Sequence, residues 1–186
     1  MRRQSMSTKR LFDLDVNGER HEVAMPPQAT LLEALRYGLA LTGSKQGCDK
    51  GDCGACTVLA NGEPILACIT LAADADAGRW RVTTIEGLAS PRGLDAVQEA
   101  FDVCGALQCG FCQSGMMLSA RALLDANPDP SLHDVKVALS GNLCRCTGYT
   151  KIYEAVQVAA GQRQPADTAP VRKVRLPTDR SRGGGG

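Results

Sequence analysis

The sequence predicts an α+β protein in which a strand-rich first half precedes a helical second half. Two observations support this prediction. Before about residue 90, runs of alternating polar and apolar residues are separated by Asn-Gly pairs, a combination typical of antiparallel hairpins. After Ser90-Pro91, alanine and leucine recur with the 3.6-residue period of amphipathic helices. Strands that precede helices, instead of alternating with them, indicate the α+β class.

The strands of the first half are expected in two hairpins and one later segment. Asn17-Gly18 and Asn61-Gly62 are the predicted hairpin turns, because Asn and Gly tolerate the positive φ angles that such turns require. Between the hairpins, Thr30 and Glu33 have the spacing of a capping box, which predicts a short helix packed on the sheet. The predicted strands cover residues 11–16, 19–25, 57–59, 65–66 and 80–85.

Four helices are expected in the second half. Asn127-Pro128 separates the second helix from the third, and Ser131 has the position of an N-cap. Gly141 and Gly148 bracket a non-helical turn before the fourth helix. The predicted helices cover residues 94–104, 109–126, 132–139 and 149–160.

The composition argues against several functional classes. The 186 residues carry a formal net charge of +1 and only 4% aromatic residues, which argues against a nucleic-acid-binding protein. No apolar run approaches the ~20 residues of a membrane span. Arg2-Arg3 is followed by polar residues instead of an apolar segment, so we expect no twin-arginine export and a cytoplasmic location.

Charge is unevenly distributed along the chain. Residues 162–186 hold six Lys and Arg against two Asp, contain few large apolar residues and end in four glycines. We therefore expect this basic tail to be extended or disordered. The predicted division is a flexible N-terminus over residues 1–8, a strand domain over 9–88, a helical domain over 91–161 and the tail.

The nine cysteines are the most informative residues. In a reducing compartment, clustered cysteines bind metals or undergo redox reactions more often than they form disulfides. An odd number also cannot be paired completely by disulfides. One of them, Cys104, falls outside the two clusters described below, and we expect it to be a small buried hydrophobic side chain. His21 and His133 are expected to be surface residues.

The first four cysteines lie in and just after a glycine-rich segment. Their spacing is C-x4-C-x2-C followed by a more distant cysteine, which is the arrangement of plant-type [2Fe–2S] sites. Gly47, Gly51 and Gly54 alternate with three of them, which predicts a loop whose backbone N–H groups point at sulfur. Structural zinc and unliganded thiols are the alternatives, but zinc usually takes two C-x2–4-C pairs. The four residues are Cys48, Cys53, Cys56 and Cys68.

The other four cysteines occur as two close pairs in the second half. Cys109 and Cys112 have i, i+3 spacing, so we expect both on one side at the start of a helix, where the helix dipole favours negative charge. Cys144 and Cys146 have i, i+2 spacing, which cannot share a helical face, so we expect them in a turn. This pattern predicts a second four-thiolate site, with zinc or a dithiol oxidoreductase motif as alternatives.

Three motifs follow one another in a defined order, at residues 46–58, 108–112 and 141–149. Together they resemble the small iron–sulfur subunit of the molybdenum hydroxylases, the family of xanthine dehydrogenase, aldehyde oxidase and carbon monoxide dehydrogenase. The resemblance extends over residues 9–161. It implies a β-grasp, plant-type ferredoxin-like domain over residues 9–88 and a four-helix domain over 91–161, each holding one [2Fe–2S] cluster.

The resemblance also implies partners and an electron route. The partners would be a large molybdopterin-binding subunit and a medium FAD-binding subunit. Single electrons would pass from the molybdenum centre through the helical-domain cluster and then the ferredoxin-domain cluster towards flavin. Gln108 would approach the pterin through its side-chain amide, and Cys146 would be an iron ligand hydrogen-bonded to it. The alternatives are a helix-capping glutamine and a cysteine that only binds iron.

One feature departs from the family pattern. Gln113-Ser114 stands where such chains usually carry Thr-Pro, and the loss of proline from a first helical turn should reduce local rigidity without removing a ligand. The basic tail also continues beyond the usual end. The competing functions are a free-standing two-cluster ferredoxin and a zinc-stabilised interaction module.

Overall fold

A five-stranded mixed sheet forms the first half of the chain. The computed structural model describes residues 8–165. The strand order is β2-β1-β5-β3-β4, with β1 and β5 parallel and the other neighbours antiparallel. The expectations for residues 1–7 and for the tail from residue 166 onwards lie outside the described residues. The strands are β1 (Arg10–Val16), β2 (Glu19–Met25), β3 (Thr57–Ala60), β4 (Glu63–Leu66) and β5 (Arg81–Thr83).

Both predicted hairpins are confirmed. Val16 pairs with Glu19 across Asn17-Gly18, and Asn61-Gly62 joins β3 to β4 in the same way. All four turn residues have positive φ angles, between 53° and 92°, as a two-residue turn between twisted strands requires. The last strand is shorter than predicted, because the chain turns into a 3-10 segment at Ile85–Gly87.

A short helix packs against the sheet through fully buried leucines. Helix α1 (Leu31–Glu33) begins with the predicted capping box, in which the Glu33 N–H donates to Thr30 Oγ1 at 3.2 Å and the Thr30 N–H donates to Glu33 Oε2 at 2.8 Å. The helix does not continue regularly. It changes to a π-helical turn over Ala34–Gly38, which still places Leu35 in the core.

Up to residue 165, where the described part of the chain ends, the second half contains four helices, as predicted. Ser131 caps the third of them, and an additional capping box at Asp95 starts the first. The prediction that the second helix starts at Cys109 is wrong. Gly110 has a φ of +80°, so the chain becomes helical only after Cys112. The helices are α2 (Ala96–Val103), α3 (Gln113–Ala126), α4 (Leu132–Ala138) and α5 (Thr150–Ala159).

The buried side chains form two separate cores. Phe12 and Leu14 belong to the core between the sheet and α1, whereas Phe101 and Ile152 belong to the core among the helices. Cys104 is 1% exposed in the helical core, as predicted. Among residues 8–165, no helix is both long and apolar enough to span a membrane.

Candidate metal centres

The first cysteine set (Cys48, Cys53, Cys56 and Cys68) is assembled by a loop and a hairpin. Cys56 directly precedes β3 and Cys68 follows β4, so the β3–β4 hairpin brings these two residues together. The N–H of Ala67 donates to the carbonyl of Cys56 at 3.4 Å. The thiols meet in pairs: Cys48 hydrogen-bonds with Cys53, and Cys56 hydrogen-bonds with Cys68.

Backbone N–H groups hydrogen-bond to the sulfur of Cys48 in this loop. Hydrogen bonds from the backbone N–H groups of Lys50 and Cys53, and from the Cys53 thiol, lower the pKa of Cys48 to about 7. Burial has the opposite effect on Cys56 and raises its pKa to about 12. A thiolate at Cys56 therefore requires a compensating positive charge, which a bound metal supplies.

The three glycines of this loop act through backbone conformation and space. Gly51 and Gly54 have φ angles of +79° and +70°, which allow the chain to wind around the thiols. Gly47 has an ordinary φ angle, but a Cβ there would lie 2.8 Å from Cys53 Sγ. The loop therefore forms a cradle around sulfur that has no room for a side chain at Gly47.

The second cysteine set (Cys109, Cys112, Cys144 and Cys146) lies between helices. Cys112 occupies the N-cap position of α3, Cys109 lies in the bend before it, and the other two lie in the turn between α4 and α5. Again the thiols meet in pairs. Cys109 Sγ and Cys146 Sγ are 3.6 Å apart, and Cys112 hydrogen-bonds with Cys144.

Two hydroxyl side chains organise the turn around Cys144. Thr147 contacts Cys144 Sγ through its hydroxyl at 3.2 Å and its backbone N–H at 3.5 Å, and the Cys144 N–H donates to Tyr149 Oη at 2.9 Å. Burial raises the pKa of Cys144, but hydrogen bonds from Thr147, from the Cys146 backbone and from the Cys112 thiol together outweigh burial and leave the pKa below its usual value. Burial, with a further contribution from the Cys144 thiol, raises the pKa of Cys112 to about 12.

Sequence reasoning assigned no role to Thr147, Tyr149 or Asn142. A usable signal was present, since all three lie within a few positions of Cys144 and carry side chains that can hydrogen-bond to thiols or backbone. Asn142 is 3% exposed and bridges the two halves of the chain. Its position could not be predicted, because its partners are distant in the sequence.

The second set has one open end. Gln108, Cys109 and Cys146 are all exposed, whereas Cys112 and Cys144 are partly buried. Phe111 and Leu143, at 46% and 54% exposure, place apolar surface beside this end. An exposed pair of thiols flanked by apolar side chains is suited to contact with another protein.

The paired thiols match the donor set of a two-iron cluster. A [2Fe–2S] cluster bound by four cysteines takes two thiolates on each iron, and both sets present two pairs. Within residues 8–165, no three His, Cys, Asp or Glu side chains surround a single point at which one metal ion could be held.

Comparisons with known proteins identify the same two regions. Residues 14–78 match the family described as 2Fe-2S iron–sulfur cluster binding domain, and residues 84–157 match the [2Fe-2S] binding domain family. The chain therefore carries two [2Fe–2S] clusters.

Relatives extend along most of the chain. It is 47% identical to the nicotinate dehydrogenase small FeS subunit of Eubacterium barkeri, over 80% of this chain and 93% of the relative. It is 52% identical to the nicotine 6-hydroxylase small subunit of Paenarthrobacter nicotinovorans, over 81% of this chain and 90% of the relative.

A solved structure shows the same fold. A chain of quinoline 2-oxidoreductase from Pseudomonas putida 86 superposes with a TM-score of 0.79 and 41% identity, over 83% of this chain and 96% of that one. These relatives favour neither a free-standing ferredoxin nor a zinc-stabilised module. The chain belongs to the molybdenum hydroxylase family as one of its small [2Fe–2S] subunits, which transfer electrons within multi-subunit oxidoreductases.

Proposed function

We propose that the first cysteine set holds one [2Fe–2S] cluster and the second cysteine set holds the other. The observation that supports this assignment is the pairing of thiols, two pairs in each set, beside backbone N–H groups and hydroxyls that hydrogen-bond to sulfur. Each cluster supplies a one-electron redox step. Hydrogen bonds to sulfur and burial are the means by which the protein adjusts the potential of each.

The open end of the second set is the proposed contact with the large, molybdopterin-binding subunit. Exposed Gln108 and Cys146 are the residues that would approach the pterin, and the flanking Phe111 and Leu143 would be covered in the complex. Electrons from the molybdenum centre would reach the second set first and the first set afterwards. A medium, FAD-binding subunit would accept them next.

The domain assignment is part of the same proposal. The sheet and α1 form a β-grasp, ferredoxin-like domain over residues 9–88, and helices α2 to α5 form the second domain over residues 91–161. The two separate cores support this division. We also propose a cytoplasmic location, because a reducing compartment keeps these nine cysteines available as thiols.

Single-cysteine variants test the assignment. Cys68→Ser removes a member of the first set, and Cys112→Ser removes a member of the second. Electron paramagnetic resonance of the anaerobically reduced wild type should show two distinguishable [2Fe–2S] signals, of which each variant loses a different one. Iron and sulfide contents should fall by about half in each variant.

Cys104→Ala is the matched control, because Cys104 is buried outside both sets. It should retain both signals and the full iron content. Wild-type protein that contains zinc and no iron would contradict the proposal. Loss of the same resonance signal in both C68S and C112S would also contradict the proposal.

A further inference from the structure

Asn142 is a buried polar side chain at the contact between the two cysteine-bearing loops. Its Nδ2 donates to the carbonyl of Gly54 at 3.0 Å and to Thr57 Oγ1 at 3.2 Å. Its Oδ1 accepts a hydrogen bond from Ser119 at 2.8 Å. Every polar atom of this side chain is therefore satisfied, by partners from both halves of the chain. A buried, fully bonded network of this kind holds its members in one arrangement.

The next residue connects the two cysteine sets directly. The backbone N–H of Leu143 donates to the carbonyl of Cys53 at 2.9 Å. Cys53 belongs to the first set, and Leu143 is covalently followed by Cys144 of the second set. A continuous route of covalent bonds, interrupted by one hydrogen bond, thus joins Cys53 Sγ to Cys144 Sγ.

The backbone segments around Asn142 are packed closely against one another. A Cβ at Gly54 would lie 2.3 Å from the carbonyl oxygen of Gly141 and 2.6 Å from Asn142 Nδ2. A Cβ at Gly115 would lie 2.2 Å from the carbonyl oxygen of Gly54. The loop of the first set, the turn of the second set and helix α3 therefore meet backbone to backbone, and Asn142 is the side chain that ties them.

We propose that Asn142 is a positioning residue for electron transfer between the two clusters. Its amide holds the loop of Cys53 and Gly54 against the turn, so that the hydrogen bond from Leu143 to Cys53 forms and couples the two sites. This inference rests on the cluster assignment proposed above. In the transfer step, the reduced cluster would lose one electron and become oxidised, and the oxidised cluster would gain that electron and become reduced. No proton would move and no bond would form or break. Electronic coupling decays more slowly along covalent and hydrogen bonds than across a gap.

The test uses Asn142→Asp and Asn142→Ala in the full chain within its native complex. The aspartate variant keeps the shape of the side chain but cannot donate to Gly54, whereas the alanine variant removes the whole clamp. Two quantities are measured after reduction of one centre by pulse radiolysis or photoreduction. They are the rate of electron transfer between the clusters, and the magnetic splitting of the resonance signals when both clusters are reduced.

Both variants should retain two cluster signals while the transfer rate falls roughly tenfold or more, by analogy with the losses of metal affinity or activity that follow removal of outer-shell partners of a metal site. The splitting should change as well. The midpoint potential of each cluster is measured in the same samples, because the difference between the two potentials is the driving force of the transfer. If the driving force is unchanged, a slower electron-transfer rate is assigned to weaker electronic coupling between the clusters. Cys104→Ala is the matched control: Cys104 is buried in the helical core outside this network, and the variant should transfer electrons at the wild-type rate.

A second pair of variants covers the case in which the Asn142 variants fail to fold. Leu143→Pro removes the donor N–H, and its ring also restricts the backbone at residues 142 and 143. Leu143→Ala removes a side chain that is about half exposed but keeps that N–H. The proline variant should be slow and the alanine variant normal. Two intact clusters with wild-type rate and splitting in N142D, N142A or L143P would overturn the inference. Wild-type protein without two cluster signals would instead overturn the proposed function.

Discussion

The cysteines differ in how the surrounding chain shifts the pKa of their thiols. Backbone N–H groups stabilise Cys48 as a thiolate, whereas burial raises the pKa of Cys56 and Cys112 to about 12. The buried thiols lose their protons readily only when a cation compensates the charge. The first set therefore combines a thiol that the protein alone can ionise, Cys48, with a thiol that depends on bound metal, Cys56.

A single methyl group should distinguish the cradle of the first set from an ordinary loop. In Gly47→Ala, the new Cβ would lie 2.8 Å from Cys53 Sγ, so Cys53 must move. We expect the first cluster signal to be lost or strongly altered, while the second signal persists. Iron content and resonance spectra of the reduced protein measure this.

Gly141→Ala is the matched control for G47A. Gly141 has no positive φ and nothing within 4 Å of an added Cβ, so both cluster signals should remain. Normal spectra in G47A would mean that the loop can relax around the extra methyl group, and that the cradle is not a constraint.

Several local elements follow directly from short sequence patterns. The Asn-Gly turns, the capping box at Thr30 and the N-cap at Ser131 were predictable because each depends on residues within four positions of one another. The start of α3 was not, because the i, i+3 spacing of Cys109 and Cys112 imitates a helix that Gly110 interrupts. The pairing of β1 with β5 was also not predictable, because these strands are distant in the sequence.

An aspartate completes the hydrogen bonding of β1. Asp76 Oδ1 accepts from the Asp13 N–H at 2.8 Å and the Ala77 N–H at 2.9 Å, and Oδ2 accepts from Arg10 at 2.6 Å. The hydrogen bond from Asp13, with smaller contributions from Ala77 and Arg10, lowers the pKa of Asp76. Asp76→Ala should therefore reduce the free energy of unfolding at pH 7 by about 1–3 kcal/mol, because it leaves the Asp13 N–H without its acceptor.

This difference should depend on pH with a defined sign. The pKa of Asp76 is lower in the folded chain than in the unfolded chain, so its stabilisation is fully present above the unfolded pKa of about 4. It is lost as the pH falls through the folded pKa. Denaturant unfolding of wild type and D76A should diverge at pH 7 and converge in acid. Asp102 is exposed, so the control variant Asp102→Ala should have the wild-type free energy of unfolding at pH 7 and in acid. If D76A lowered the free energy of unfolding by the same amount at pH 7 and in acid, the assignment would be contradicted.

At the scale of the whole molecule, α3 makes a tight contact with the loop of the first set. Gly115 lies in α3, and a Cβ there would lie 2.2 Å from the carbonyl oxygen of Gly54. In an isolated helix, Gly→Ala stabilises by about 0.5–1 kcal/mol. Here we expect Gly115→Ala to destabilise the chain by about 1–3 kcal/mol through overpacking. Thermal unfolding of the cluster-loaded chain measures whether the substitution stabilises or destabilises it. A higher midpoint temperature of unfolding in G115A than in the wild type would contradict the tight contact.

The chain up to Pro165 should be sufficient to hold both clusters. Gln162 still hydrogen-bonds to the carbonyl of Pro130 at 3.0 Å, so truncation is placed after residue 165. Deletion of residues 166–186 should leave both resonance signals and the iron content unchanged, because all eight cysteines of the two sets lie before it. Loss of either signal would show that the basic tail contributes to a cluster site.

Local chemistry was sufficient to identify the α+β class, the hairpins, most helix caps and the two groups of four cysteines, because each depends on spacing within a short stretch of chain. The identity of a thiol's neighbours was settled only by folding. Cys68 reaches Cys56 through a hairpin, and Cys144 reaches Cys112 because α4 and its flanking turns bring the chain back. The contact of Asn142 and Leu143 with the first loop joins residues almost ninety positions apart. Contacts of that range arise where α3 and the turn after α4 pack against the loop of the first set, which no periodicity or motif in the sequence encodes.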